Sequence, residues 1–110
     1  KRIYSKSEWQ KMTIEDVEYV LRCRTNSTKV CDKIRQLNRQ WNKHLVENGK
    51  CQNCKYSKHV ELAHITPISA DDKETTIRTV NCEANQLVLC PNCHWEFDYG
   101  LLTLVDIPIR

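Results

Sequence analysis

The sequence predicts an α+β domain, with two amphipathic helices leading into a compact unit of short strands and one short helix. Three observations point there. Apolar residues recur every three or four positions through the first half of the chain. In the second half they gather in short bursts of strand length. Two Cys-x-x-Cys pairs, Cys51/Cys54 and Cys90/Cys93, bracket those bursts. The 110 residues, 40% hydrophobic and 28% charged, suffice for one core and contain no apolar run near the ~18 residues of a membrane span. A membrane-spanning chain and a disordered polyelectrolyte are both excluded. A domain this small buries only about 60–70% of its unfolded surface, so something besides apolar packing is expected to hold it together.

The first expected element is a brief helical turn capped by Ser7 and carrying Trp9 and Met12. Thr13 with Asp16 three residues later forms a capping-box pattern, and Ile14, Val17 and Val20 or Leu21 follow at helical spacing, predicting a helix over 14–23. Thr25-Asn26-Ser27-Thr28 interrupts it with cap-forming residues. Cys31, Ile34, Leu37 or Asn38, Trp41 and Leu45 then make the stripe of a second helix over 29–47, stopped by Asn48-Gly49. Residues 59–65 alternate loosely before Pro67 and predict a strand, as does the apolar run Gln86 to Leu89. The polar stretch 66–84 reads as the loop between them. Cys93 to Tyr99 reads as a short helix closed by Gly100, and Leu101 to Ile107 as a final strand.

Seven cysteines are an odd number, which argues against a fully paired disulfide framework and for an intracellular compartment, cytoplasmic or nuclear. Each Cys-x-x-Cys places two sulfurs on one side of a tight turn, so Cys51, Cys54, Cys90 and Cys93 together meet the tetrahedral demand of a structural Zn²⁺. A closed four-sulfur shell leaves no position for catalysis. Cys23, Cys31 and Cys82 lack such spacing and read as small buried hydrophobes.

Charge is unevenly spread. Residues 1–50 hold twelve basic and six acidic side chains, whereas 51–110 hold five and eight. Between Arg22 and Lys43 seven bases accompany the single acid Asp32, as expected of a surface that meets phosphates. Arg22, Arg24, Lys29, Arg35, Arg39 and Lys43 are the candidate DNA contacts, with Arg35, Arg39 and Lys43 forming a ridge spaced four apart. The chain thus divides at residue 49 into a basic helical extension (1–49) and a chemically distinct core (50–110).

In that core His94 and Asp98 lie four apart on the expected short helix, so both project from one face and can share a divalent cation. Cys93, about 100° around the helix, turns toward the zinc instead. His64, at the end of the first strand, faces the same cation if that strand pairs antiparallel with residues 86–89. These residues stand in two runs. Glu61-Leu62-Ala63-His64-Ile65-Thr66-Pro67 is followed by Asn85-Gln86-Leu87-Val88-Leu89-Cys90-Pro91-Asn92-Cys93-His94-Trp95-Glu96-Phe97-Asp98-Tyr99-Gly100. Together they resemble the HNH endonuclease family, a ββα-metal finger with accessory zinc cysteines, over about residues 50–105. The ending after His94 is similar to HNH domains of restriction-type proteins.

The resemblance implies a metal-dependent DNA endonuclease that hydrolyses phosphodiester bonds. His64 would be the general base that activates water, and His94 with Asp98 would hold a catalytic Mg²⁺ or Mn²⁺, leaving a 5′-phosphate. Asn85 would either brace the loop that aims the histidine or join the metal shell. In one respect the chain departs from the family: many members carry Asp, His or Glu just before the general base, and here that residue is Ala63. Water, a substrate phosphate or another acid would then complete the coordination. The alternative reading is a non-catalytic zinc-stabilised nucleic-acid-binding module, favoured by Ala63 and the basic helices. Besides DNA, a second copy of the chain or further domains of a longer parent are the partners considered, since Lys1-Arg2 is not followed by a secretory leader and the chain does not open on Met.

Overall fold

The computed structural model describes residues 3–21 and 28–110. Helix α1 spans Lys6–Lys11. Its N-cap is Ser5 rather than Ser7, because Glu8 lies three residues on and completes a capping box, its carboxylate accepting from the Ser5 N–H at 2.9 Å. Helix α2 spans Ile14–Leu21 and starts with the expected Thr13/Asp16 box, closed by two reciprocal 3.0 Å bonds.

The predicted helix over 29–47 is two helices, α3 at Thr28–Trp41 and α4 at Lys43–Val46. The break falls at Asn42, whose buried amide donates sideways to the Asn81 carbonyl at 2.8 Å and to Asn38 Oδ1 at 2.6 Å. Of the predicted stripe, Ile34 and Leu37 are buried, while Cys31, Trp41 and Leu45 are half-buried. Asn48 then takes the left-handed φ of 59°, and Gly49 follows where a Cβ would lie 2.7 Å from the Leu45 carbonyl oxygen.

Strands β1 (Glu61–His64) and β2 (Gln86–Leu89) pair antiparallel, with Glu61 opposite Leu89 and His64 opposite Gln86. The second edge of β2 is taken by Gln52. Its N–H donates to the Val88 carbonyl at 2.8 Å and its Oε1 accepts from the Val88 N–H at 2.7 Å. The predicted strand over 101–107 therefore finds no edge there. It forms a 3-10 turn at Leu104–Asp106 instead, and Leu102 and Ile107 are buried in the core.

The stretch 66–84 is not a plain loop either. It contains 3-10 turns at Ile68–Ala70 and Glu83–Asn85 and helix α5, Ile77–Val80, capped by Thr76. Helix α6 spans Pro91–Asp98, with Pro91 at its first position. It ends in a Schellman turn, in which Gly100 at φ 75° lets the Leu101 N–H reach the Glu96 carbonyl at 2.8 Å. The architecture is α+β, six helices with one two-stranded antiparallel sheet among the described residues. No helix of the described residues is long and apolar enough to cross a membrane.

Two apolar clusters result. One joins α1, α2 and α3, through Trp9, Val17, Ile34 and Leu37, to Ile68, Ile77 and Val80 of the segment between the strands. The other gathers Cys51, Ala63, Leu87, Leu89, Cys90, Cys93, Leu102 and Ile107. Buried amides link α3 to the strand region, with Asn38 Nδ2 donating to Gln86 Oε1 at 2.7 Å. Such groups tolerate burial only when paired.

Candidate active site and metal centre

Cys51 and Cys54 sit on a tight turn held by the Cys51 N–H to Tyr56 and the Lys55 N–H to Cys51, with Lys55 at the left-handed φ of 71°. Cys90 caps α6 and Cys93 lies in its first turn, so the helix start delivers the second pair. All four sulfurs lie within 4.8 Å of one another. Zn–S bonds of about 2.3 Å in a tetrahedron put sulfurs about 3.8 Å apart. Cys54 Sγ and Cys90 Sγ are 3.7 Å apart, so the donor set fits zinc in number, chemistry and spacing. Backbone N–H groups of Cys54 and Cys93 point at the Cys51 and Cys90 sulfurs, each at 3.4 Å.

The protonation pattern agrees. Burial pushes the Cys51 thiol up, but the backbone donors of Cys54, Cys90 and Asn53 outweigh it and bring it down to about 6. Cys93 is pushed up to about 12, by burial first and then by the neighbouring sulfurs. A divalent cation held among these sulfurs would favour their thiolate forms. Cys31 is half-buried, whereas Cys82, read as a buried hydrophobe, is exposed. Cys23 lies outside the described residues.

A cavity of about 670 Å³ is lined by Glu61 to His64 of β1, by Arg35 and Arg39 of α3 and by His94, Phe97 and Asp98 of α6. On α6, His94 Nε2 stands 3.5 Å from Asp98 Oδ2, the four-residue pairing the sequence predicts. Its other nitrogen, Nδ1, is 2.6 Å from Glu61 Oε1. Glu61 shares a strand face with Ala63, which is buried in the cluster that also holds Cys90 and Cys93 of α6. Sequence reasoning gave Glu61 no role, although its place two residues before the departing Ala63 is the available signal. A carboxylate on Nδ1 fixes the imidazole and leaves Nε2 for a cation, the usual arrangement behind a metal-bound histidine. His94 Nε2 and Asp98 Oδ2 are thus two donors that could share a divalent ion beside the cavity. Ala63, 2% exposed, cannot contribute.

His64 lines the same cavity, and its Nε2 is 2.9 Å from Asn81 Oδ1. Burial holds its pKa below the ordinary 6.5, and the charges of Arg35 and His94 add to this, while Asn81 and Asp71 oppose it. The ring is therefore neutral at pH 7. Asn85 lies outside the cavity lining. Its carbonyl accepts from the Ile65 N–H and its Oδ1 from the Thr66 N–H, both at 2.8 Å, while its Nδ2 donates to the Val80 carbonyl at 2.8 Å. These bonds clamp the two residues that follow His64.

The basic residues separate. Arg35 and Arg39 line the cavity, Arg35 also standing 3.7 Å from Asp32. Lys29 is exposed at the start of α3, and Lys43 is exposed on α4, beyond the Asn42 break, so the ridge is not borne on one helix. Arg22 and Arg24 lie outside the described residues. No curated protein and no solved structure matches the chain. A family model described as HNH endonuclease matches residues 50–105, which take in both cysteine pairs, both strands and α6. With more than half its length matched, and a four-cysteine cluster suited to a metal beside an antiparallel strand pair and helix, the chain belongs to the HNH endonuclease family.

Proposed function

We propose that this protein is a metal-dependent DNA endonuclease in which His64 is the general base. The observation that carries the reading is one cavity that joins a neutral imidazole, a histidine–carboxylate pair and two arginines. Arg35 and Arg39 hold the DNA backbone through its phosphates, fixing position without reading sequence. His64 takes a proton from the attacking water, its depressed pKa keeping it able to do so at pH 7. His94 Nε2 and Asp98 would hold Mg²⁺ or Mn²⁺, which would supply positive charge to offset the charge building on the phosphate and the departing oxygen.

Glu61 keeps His94 oriented, and Asn85 acts as the brace of residues 65–66 rather than as a ligand, since its amide is spent on backbone groups. Zinc in the four-cysteine site is structural. On this reading residues 1–49 are a basic extension that completes the DNA-binding side of a 50–110 nuclease core. The second reading, a DNA-binding module without catalysis, draws on Ala63, which removes one donor from the working shell.

Supercoiled plasmid incubated with the zinc-loaded protein and Mn²⁺ separates the two. Nicking by the wild type that His64→Ala abolishes is the expected outcome; equal nicking by both, or none by either, favours the binding module.

A further inference from the structure

We infer that Asn81 is a positioning residue that fixes the tautomer of His64, so that Nε2 carries the proton and Nδ1 is the atom that accepts one from water. This rests on the reading of His64 as general base. Asn81 is 3% exposed, stands at the C-cap of α5, and is held at every polar atom. Its N–H donates to the Ile77 carbonyl at 2.9 Å, and its own carbonyl accepts from Asn42 Nδ2 at 2.8 Å. Its Nδ2 lies 3.0 Å from the Ile34 carbonyl on α3, a group that can only accept.

That contact decides which way the amide points. Nδ2 must face Ile34, so Oδ1 faces His64 Nε2, at 2.9 Å. An amide oxygen cannot donate, so Nε2 must, and in a neutral ring the lone pair is then on Nδ1. Among the described residues Nδ1 makes no hydrogen bond. The chain of contacts begins in the amino-terminal half, since the carbonyl that orients Asn81 belongs to α3, the helix that also brings Arg35 and Arg39 to the cavity. The charged groups facing His64 are Arg35 from α3, Asp71 from the segment between the strands and His94 from α6; Asn81 adds direction without adding charge.

The test begins on the intact, zinc-loaded wild type. Long-range ¹H–¹⁵N NMR of its histidine rings at pH 7.5 should show His64 protonated at Nε2; protonation at Nδ1 overturns the proposal whether or not the protein cuts DNA. Nicking rates against pH are then compared for Asn81→Leu, which loses both side-chain bonds, and Asn81→Asp, which loses the donor to Ile34 and keeps an acceptor for Nε2. Asn81→Leu should cut about tenfold slower or worse, as when a histidine base loses its orienting partner. Asn81→Asp should recover most of the rate and move the acid limb up by about one unit, since the carboxylate favours the charged ring.

If both variants lose activity alike with melting temperatures lowered alike, the residue is merely structural and the inference falls. Equally, it falls if Asn81→Leu matches the wild type while His64→Ala is inactive. Should the wild type fail to nick at all, the nuclease reading fails, and the NMR tautomer still decides the positioning claim.

Discussion

Cys93 and His94 are neighbours on α6, yet they stand in side-chain clusters of opposite character, the four-cysteine cluster and the proposed working site. The cysteine site is closed, with four soft donors drawn from two turns, all within 4.8 Å and three of them buried. The histidine site is open, with Nε2 and a 59% exposed Asp98 carboxylate on the cavity wall and Glu61 behind. The difference teaches a division of labour. A complete sulfur shell can hold an ion for the sake of the fold and nothing else, whereas a shell of two donors holds an ion weakly and leaves room for water and phosphate. One helix can present both because consecutive residues point about 100° apart.

The largest expected effect comes from breaking the closed side. Cys51→Ser or Cys90→Ser should abolish cooperative thermal melting, because structural zinc contributes on the order of 10 kcal/mol to folding in zinc-dependent peptides. Cys82→Ser, at an exposed site, should change stability by less than about 0.5 kcal/mol, as measured by denaturant unfolding. On the open side, His64→Ala should slow cleavage by about 10²–10⁴-fold in single-turnover assays, with only a modest loss of stability from the unpaired Asn81 oxygen.

Glu61→Gln weakens support for His94 from behind. It should raise the Mn²⁺ concentration needed for half-maximal cleavage by about 10–100-fold, and unchanged metal demand would remove Glu61 from the account. Smaller again is the pH effect. His64 has a pKa below 6.5 because it is buried, so the neutral ring persists as pH falls through 6.5 and is lost only further down. The midpoint of the acid limb of kcat/KM should therefore lie below 6.5; a midpoint at or above 6.5 contradicts the burial argument. The smallest effects are electrostatic. Arg35→Ala and Arg39→Ala should each lower the salt slope of DNA binding by about one, read from titrations at several salt concentrations.

What the sequence disclosed follows the same division. The cysteine pairs, the His94/Asp98 spacing and β2 are local patterns, and the chain between them cannot disguise them. The α3–α4 break was hidden because Asn42 turns aside for Asn81, 39 residues away, and no local periodicity records that. Helix α5 has four residues, too few to show a period, and exists because Thr76 caps it and Ile77 and Val80 plug the amino-terminal cluster. The expected strand over 101–107 did not add to β2, since Gln52 takes that edge, and Leu102 and Ile107 are buried in the core from a turn instead. Glu61 and Asn81 escaped notice because each acts on a histidine from a distant segment, 33 and 17 residues away.

The contrast between the two sites is tested most directly by selective metal removal. The zinc-loaded protein is dialysed against EDTA mild enough to leave zinc in place, as checked by elemental analysis, and plasmid nicking and far-ultraviolet circular dichroism are followed together. Nicking should vanish while the spectrum holds, and return when Mg²⁺ or Mn²⁺ is added. Cleavage that persists with zinc alone, or a fold that collapses along with the activity, would contradict the account.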